Sequence, residues 1–175
     1  MLITSLLRVA GGLACATLVA GDGATIFDAL SNVHSETKEL QSKVENWNGD
    51  LLGAVPIATQ SEYVLSSIND ATDTAKDSQP LTAKEALDIA SAVTTLATSV
   101  NGTMTAIINA YDDFKHLYIA SIVLSNLETQ KSASSEMSNA IIEKVPTPLQ
   151  AIARKLAAPV DASFDQAIDV FSSSN

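Results

Sequence analysis

Apolar residues recur along most of the chain at intervals of three, four and seven, the spacing of one buried stripe on an α-helix. Ile26, Leu30, Val33, Leu40, Val44, Trp47 and Leu51 draw the first stripe and predict a helix from about 24 to 48, ended by Gly49, Gly53 and Pro56. Val64, Leu65, Ile68, Ala71 and Ala75 draw a second, starting near Ile57 and stopping before Ser78-Gln79-Pro80. Thr82 followed by Glu85 has the spacing of a capping box and opens a third helix. Its stripe runs unbroken through Leu96, Val100, Met104, Ile107 and Tyr111, with Gly102 inside, where a bend is expected. A fourth helix is predicted from about 114 to 144 through Ile119, Val123, Leu124, Leu127, Met137 and Ile141, its polar middle from Lys131 to Glu136 expected to fray. Pro148 suits the first turn of a fifth, carrying Leu149, Ile152, Leu156, Val160, Phe164, Ile168 and Phe171, and Pro159 is expected to kink it. No alternating strand pattern occurs. The expected fold is all-α, a five-helix antiparallel bundle of long amphipathic helices. The same periodicity serves a filled core or an apolar central tunnel.

The segment before the first stripe has a different character. Arg8 followed by the twelve-residue apolar run Val9–Ala20 reads as a secretory leader over 1–20, with 21–175 a single helical domain. Cleavage after Ala14-Cys15-Ala16 or near Ala20 both fit, and an ordinary N-terminal helix is the alternative. Cys15, the only cysteine, falls inside this segment, so the domain relies on packing without disulfides.

Charge narrows the partners. Ten basic against twenty acidic residues give a net charge of −10, with no basic stripe to neutralise phosphates, so nucleic acid is not an expected partner. Chemistry is sparse. His34 and His116 lie on different predicted helices; Asp112 and His116 share a face without a third ligand, so no metal site is expected. No Walker loop, nucleophile elbow, dinucleotide fingerprint or Ser-His-Asp set is present, so neither a cofactor nor catalysis is expected. Asn101-Gly102-Thr103 is an N-glycosylation sequon, with Asn101 the acceptor.

Several segments together resemble one family. KVPTPLQAIARKL at 144–156 and SFDQAIDVF at 163–171, preceded by FDALSNV at 27–33, EALDIASAVTTLATSV at 85–100 and VLSNLE at 123–128, resemble the fungal hydrophobic surface-binding protein A and cell-wall galactomannoprotein family. The resemblance implies a secreted, often glycosylated, non-enzymatic protein of the fungal wall. It also implies adsorption to hydrophobic surfaces or binding of long-chain fatty acids inside the bundle. The interior positions expected to meet such a ligand are Leu30, Val33, Val64, Ile68, Leu96, Val100, Met104, Ile107, Tyr111, Leu124, Leu127, Ile152 and Leu156. A carboxylate head would need hydrogen bonds or a cation, and Arg154, the hydroxyls of Tyr63, Tyr111 and Tyr118, or nearby serines are the expected sources. The alternative is a structural wall mannoprotein with a fully packed core, whose partners are wall glycans. The chain departs from the family at Pro159, in its leader, and at Ser172–Asn175, which carries no hydrophobic tail and so reads as lacking a GPI anchor.

Overall fold

The computed structural model describes residues 22–173, so the leader expected over 1–20 lies outside the described residues. Six helices follow in order: α1 Gly23–Glu45, α2 Leu51–Asp77, α3 Ala83–Asn109, the short α4 Tyr111–His116, α5 Ala120–Lys144 and α6 Thr147–Ser172. Among the described residues there is no strand. The five long helices match the five expected; α4 is additional. No helix among them is long and apolar enough to cross a membrane.

Named pairs fix the helix directions. Gly23 meets Glu85 and Thr37 meets Thr103, so α1 and α3 run the same way. Ala86 to Leu96 line one hollow with Ile152 to Val160, and Asn101 further along meets Ser163, which makes α6 parallel to α3. Ser61 with Gln130 and Lys76 with Glu136 set α2 parallel to α5. Gln60 on Glu36 with Gln79 on Asp22, and Lys131 on Asp165 with Ser135 on Asp161, make the pairs α1/α2 and α5/α6 antiparallel. Each long helix thus packs mainly on two others, and the order α1–α2–α5–α6–α3 closes on itself as a ring. The buried stripes point to the ring's axis, where Ile26, Leu30, Val33, Val64, Ile68, Leu96, Met104, Met137 and Phe164 form one core.

The capping box is present: Thr82 Oγ1 accepts from the Glu85 N–H at 3.3 Å, and Glu85 Oε2 accepts from the Thr82 N–H at 2.8 Å. The same carboxylate accepts the Gly23 N–H at 3.3 Å, tying the starts of α1 and α3 together. These donors, the Thr82 hydroxyl foremost, hold the Glu85 carboxyl below the usual carboxylate range.

Three expectations are corrected. Gly53 and Pro56 do not end the first helix; α1 stops at Glu45 and both residues lie in the first turns of α2. Asp50 caps α2 by accepting the Gly53 N–H at 2.7 Å. Gly53 is needed because a Cβ there would lie 2.7 Å from the Trp47 indole. The second correction concerns the fourth helix, which is broken before Ala120 with Tyr118 at a φ of 60°. The break lets α4 turn Phe114 into the core, 2% exposed, against Trp47 at 4.6 Å and Phe171 at 6.1 Å. Third, the polar stretch Lys131–Glu136 is intact helix. Its side chains are engaged by neighbours: Lys131 pairs with Asp165, Ser135 with Asp161 and Glu136 with Lys76. These hydrogen bonds hold the Lys131 and Lys76 ammonium groups above their ordinary range. Helix α3 passes through Gly102 without interruption, the missing side chain leaving room for Gln41 of α1, 3.0 Å from where a Cβ would sit. Helix α6 likewise runs through Pro159 as one element.

Candidate functional site

Small residues facing one another across the ring leave two apolar hollows, one toward each end of the bundle. The first, about 100 Å³, lies between α3, α5 and α6, where Ala86, Ala90, Ala153 and Ala157 stand opposite Ile141, Ile142 and Val145. Its lining carries one polar side chain, Ser138. The second, about 220 Å³, lies between α2 and α5 at the opposite end, floored by Leu40, Ile107 and Phe114. Ala54, Ala58 and Ser61 repeat at i, i+4 and i+7 on α2 and make its room.

Between the hollows the axis is closed. Val33, Val64, Ile68, Val100, Met104 and Phe164 surround a residual void of about 20 Å³, space for roughly one water-sized sphere. The three spaces adjoin: Leu96, Met137 and Val160 line both the first hollow and the centre, and Leu40 and Gln130 line both the second hollow and the centre. An open tunnel is therefore not present along the whole axis; it is pinched at its middle by side chains that touch both neighbouring spaces.

The thirteen interior positions singled out in the sequence are distributed unevenly. Leu30, Leu96, Ile152 and Leu156 line the first hollow, and Ile107 and Leu127 the second. Val33, Val64, Ile68, Val100 and Met104 pack the closed centre, to which Leu96 also belongs. Tyr111 and Leu124 line none of the three; the Tyr111 ring packs edge-on to Phe171 at 4.9 Å. Periodicity pointed to bulky residues, whereas the hollows are made by the small ones opposite them.

No titratable side chain lines either hollow or the centre, so the walls supply no general acid, base or cation. The expected cationic and phenolic head partners lie elsewhere. Arg154 is exposed, Tyr63 and Tyr118 are 58% and 93% exposed, and Lys144 spends its ammonium on the carbonyls of Lys76 and Ser78. The His116 ring meets the Asp112 backbone carbonyl at 2.6 Å, not its carboxylate. Asn101 is exposed on α3, and its amide donates to Ser163 Oγ at 3.4 Å. What this arrangement can do chemically is shelter apolar chains from water while offering a few neutral hydrogen-bonding groups.

A ring of five long helices around paired apolar hollows defines an all-α bundle whose hollows are lined by no titratable side chain. The chain belongs to the family described as hydrophobic surface binding protein A, whose sequence profile matches residues 23–143. It is 32% identical to Cell wall mannoprotein 1 of Aspergillus fumigatus over 165 residues, which are 94% of this chain and 57% of that protein. It is 28% identical to Cell wall mannoprotein 1 of Aspergillus flavus, again over 94% of this chain and 60% of that protein. The chain thus spans less than two thirds of the length of these relatives. Among solved structures it is similar to AFMP4P in complex with palmitic acid, with a TM-score of 0.83 at 26% identity over 86% of this chain and 99% of that one. It shares its fold with ligand binding domain 2 of the Penicillium marneffei MP1 protein complexed with multiple arachidonic acids, with a TM-score of 0.80 at 20% identity over 86% and 97% of the two chains.

Proposed function

We propose that this chain binds long-chain fatty acids along the axis of its helical ring, as a non-catalytic protein of the fungal wall or its surroundings. The observation that carries the reading is the pair of apolar hollows joined through a centre pinched by Leu96, Met137, Val160, Leu40 and Gln130. The likeness to a palmitate complex at a TM-score of 0.83 supports the ligand class, and the wall mannoprotein relatives support the location. Each methylene moved from water into such walls gains about 0.8 kcal/mol, before the costs of association and of ordering the chain are subtracted. Met137 is unbranched and can change rotamer more readily than a β-branched residue. An acyl chain entering from the first hollow therefore meets an adaptable side chain at the pinch.

The test is native mass spectrometry of the purified chain with palmitic acid, followed by thermal melts at rising ligand concentration. A bound fatty-acid mass and a melting point that climbs with concentration are expected, as linkage requires. A protein that stays at its own mass, with an unmoved melt, overturns the reading. That outcome would favour the structural mannoprotein, a role to which the filled centre of about 20 Å³ is also suited.

A further inference from the structure

The second hollow is unlike the first in one respect: three polar side chains line its otherwise apolar walls, Ser61 from α2 and Asn126 and Gln130 from α5. Asn126 and Gln130 are four residues apart and share a helix face. Gln130 is only 4% exposed, and its amide donates to the Ser61 carbonyl at 3.2 Å and to Ser61 Oγ at 2.8 Å. Gln130 is thereby held against Ser61.

Ser61 is left in an unusual state. Serines and threonines inside these helices commonly return their hydroxyl hydrogen to a carbonyl one turn back, as Ser31, Thr59 and Thr129 do. Ser61 accepts from Gln130, and its own hydroxyl hydrogen has no acceptor among the described residues. Accepting a hydrogen bond makes a hydroxyl a stronger donor. The half-buried Asn126 amide is also without a hydrogen-bond partner among the described residues. The hollow therefore presents unspent donors beside the Gln130 and Asn126 amide oxygens, no cation, and walls suited to a hydrocarbon.

We propose that Ser61 and Asn126, with Gln130 holding Ser61 in place, form the head site of the bundle, taking the carboxylate of a fatty acid whose acyl chain lies on the walls of the same hollow. The proposal rests on the fatty-acid reading given above and adds where the head is held and by what. Two neutral donors to an anionic acceptor form charge-assisted hydrogen bonds. Because no lysine or arginine lines the hollow, recognition is by hydrogen bonding without an ion pair. Affinity is accordingly insensitive to salt, which screens exposed charges but not a buried hydrogen bond.

Trp47, the only tryptophan, stacks at 4.6 Å on Phe114 of this hollow's floor and serves as the reporter. Palmitate and the headless hydrocarbon diphenylhexatriene are each titrated against the wild type and the double variant Ser61→Ala/Asn126→Leu, with Trp47 emission as the readout. Palmitate affinity is expected to fall at least tenfold in the variant, on the basis of about 1.5–3 kcal/mol for a hydrogen bond to a charged group, while diphenylhexatriene affinity stays within twofold. For the wild type, palmitate affinity is expected to change less than twofold between 50 and 500 mM salt, roughly spanning screening lengths from above 10 Å to below 5 Å. Equal loss for both ligands, or an unchanged palmitate affinity, overturns the head site. So does a tenfold loss in Ser138→Ala, which would move the head to the first hollow. The ligand-free melting point of each variant controls for folding. Should the wild type bear no palmitate by mass spectrometry, the fatty-acid reading itself fails and takes the head site with it, an outcome distinct from binding that ignores Ser61 and Asn126.

Discussion

Thr103 of α3 donates its hydroxyl to the backbone carbonyl of Thr37 on α1 at 3.1 Å, and both residues are buried, Thr103 completely. It shares the same hydrogen with the Ser99 carbonyl at 2.9 Å. Thr103→Val keeps the shape and removes the bond between helices. A loss of about 1 kcal/mol is expected from the net worth of one such bond, about 2–4 °C in melting temperature for a domain of this size. Chemical denaturation of unglycosylated protein checks the value.

The same burial governs the sequon. Asn101 is exposed, but an enzyme reading Asn101-Gly102-Thr103 must also reach the Thr103 hydroxyl, which lies at 0% exposure against α1. Any glycan at Asn101 is therefore attached before α1 packs on α3. Incubating folded protein and a denatured sequon peptide with the transferase should modify the peptide alone. Modification of the folded chain at an equal rate would show that α3 opens readily.

Met137 touches both the first hollow and the closed centre. Met137→Ala should lower the ligand-free stability by about 2–5 kcal/mol, the range for truncating a buried methionine. It should also merge the two spaces, so the rise in melting point on adding palmitic acid is expected to be larger than in the wild type. Denaturation with and without ligand measures both effects. A smaller ligand response in the variant would place the acyl chain away from this pinch.

Glu85 provides a pH signature. Its carboxyl is depressed by the Thr82 hydroxyl, then the Thr82 and Gly23 backbone N–H groups, so the folded state favours the ionised form. The stabilisation is fully present above the ordinary carboxylate range and is lost as pH falls through the depressed value. Glu85→Ala should melt below the wild type at neutral pH, and the gap should narrow as the solution is acidified through that window. A gap that does not change with pH would mean that the ionised form contributes nothing.

The helices were legible because each has a strong stripe at helical spacing, and the start of α3 was legible residue by residue because a capping box is a local device. The start of α2 was not, since Gly53 reads as a breaker in isolation and its use becomes visible only with the Trp47 indole beside it. The break before α5 was hidden for a similar reason: apolar spacing continues from Phe114 through Ile119, while the turn at Tyr118 serves to seat Phe114 between Trp47 and Phe171. At the site, periodicity found the axis but not its openings. A face of the helix is the same whether a bulky neighbour fills the space or an alanine leaves it. The usable signal was the run of small residues Ala54, Ala58 and Ser61 on α2, matched by Ala86 and Ala90 on α3 and Ala153 and Ala157 on α6. The polar trio in the second hollow joins two helices 69 residues apart at Ser61 and Gln130, a pairing that spacing within one helix does not reveal.

The order α1–α2–α5–α6–α3 also has a purely geometrical consequence. If neighbouring helix axes stand about 9 Å apart, an ideal square of four places each axis about 6.4 Å from the centre line, and an ideal pentagon about 7.7 Å. A helix with its side chains has a radius of about 5–6 Å, so a four-membered ring is nearly stoppered by its own side chains, whereas the fifth member leaves a bore about the width of a single methylene chain. Whether that bore is plugged or clear is then decided by a handful of rotamers, and the five-sided circumference itself can stay unchanged.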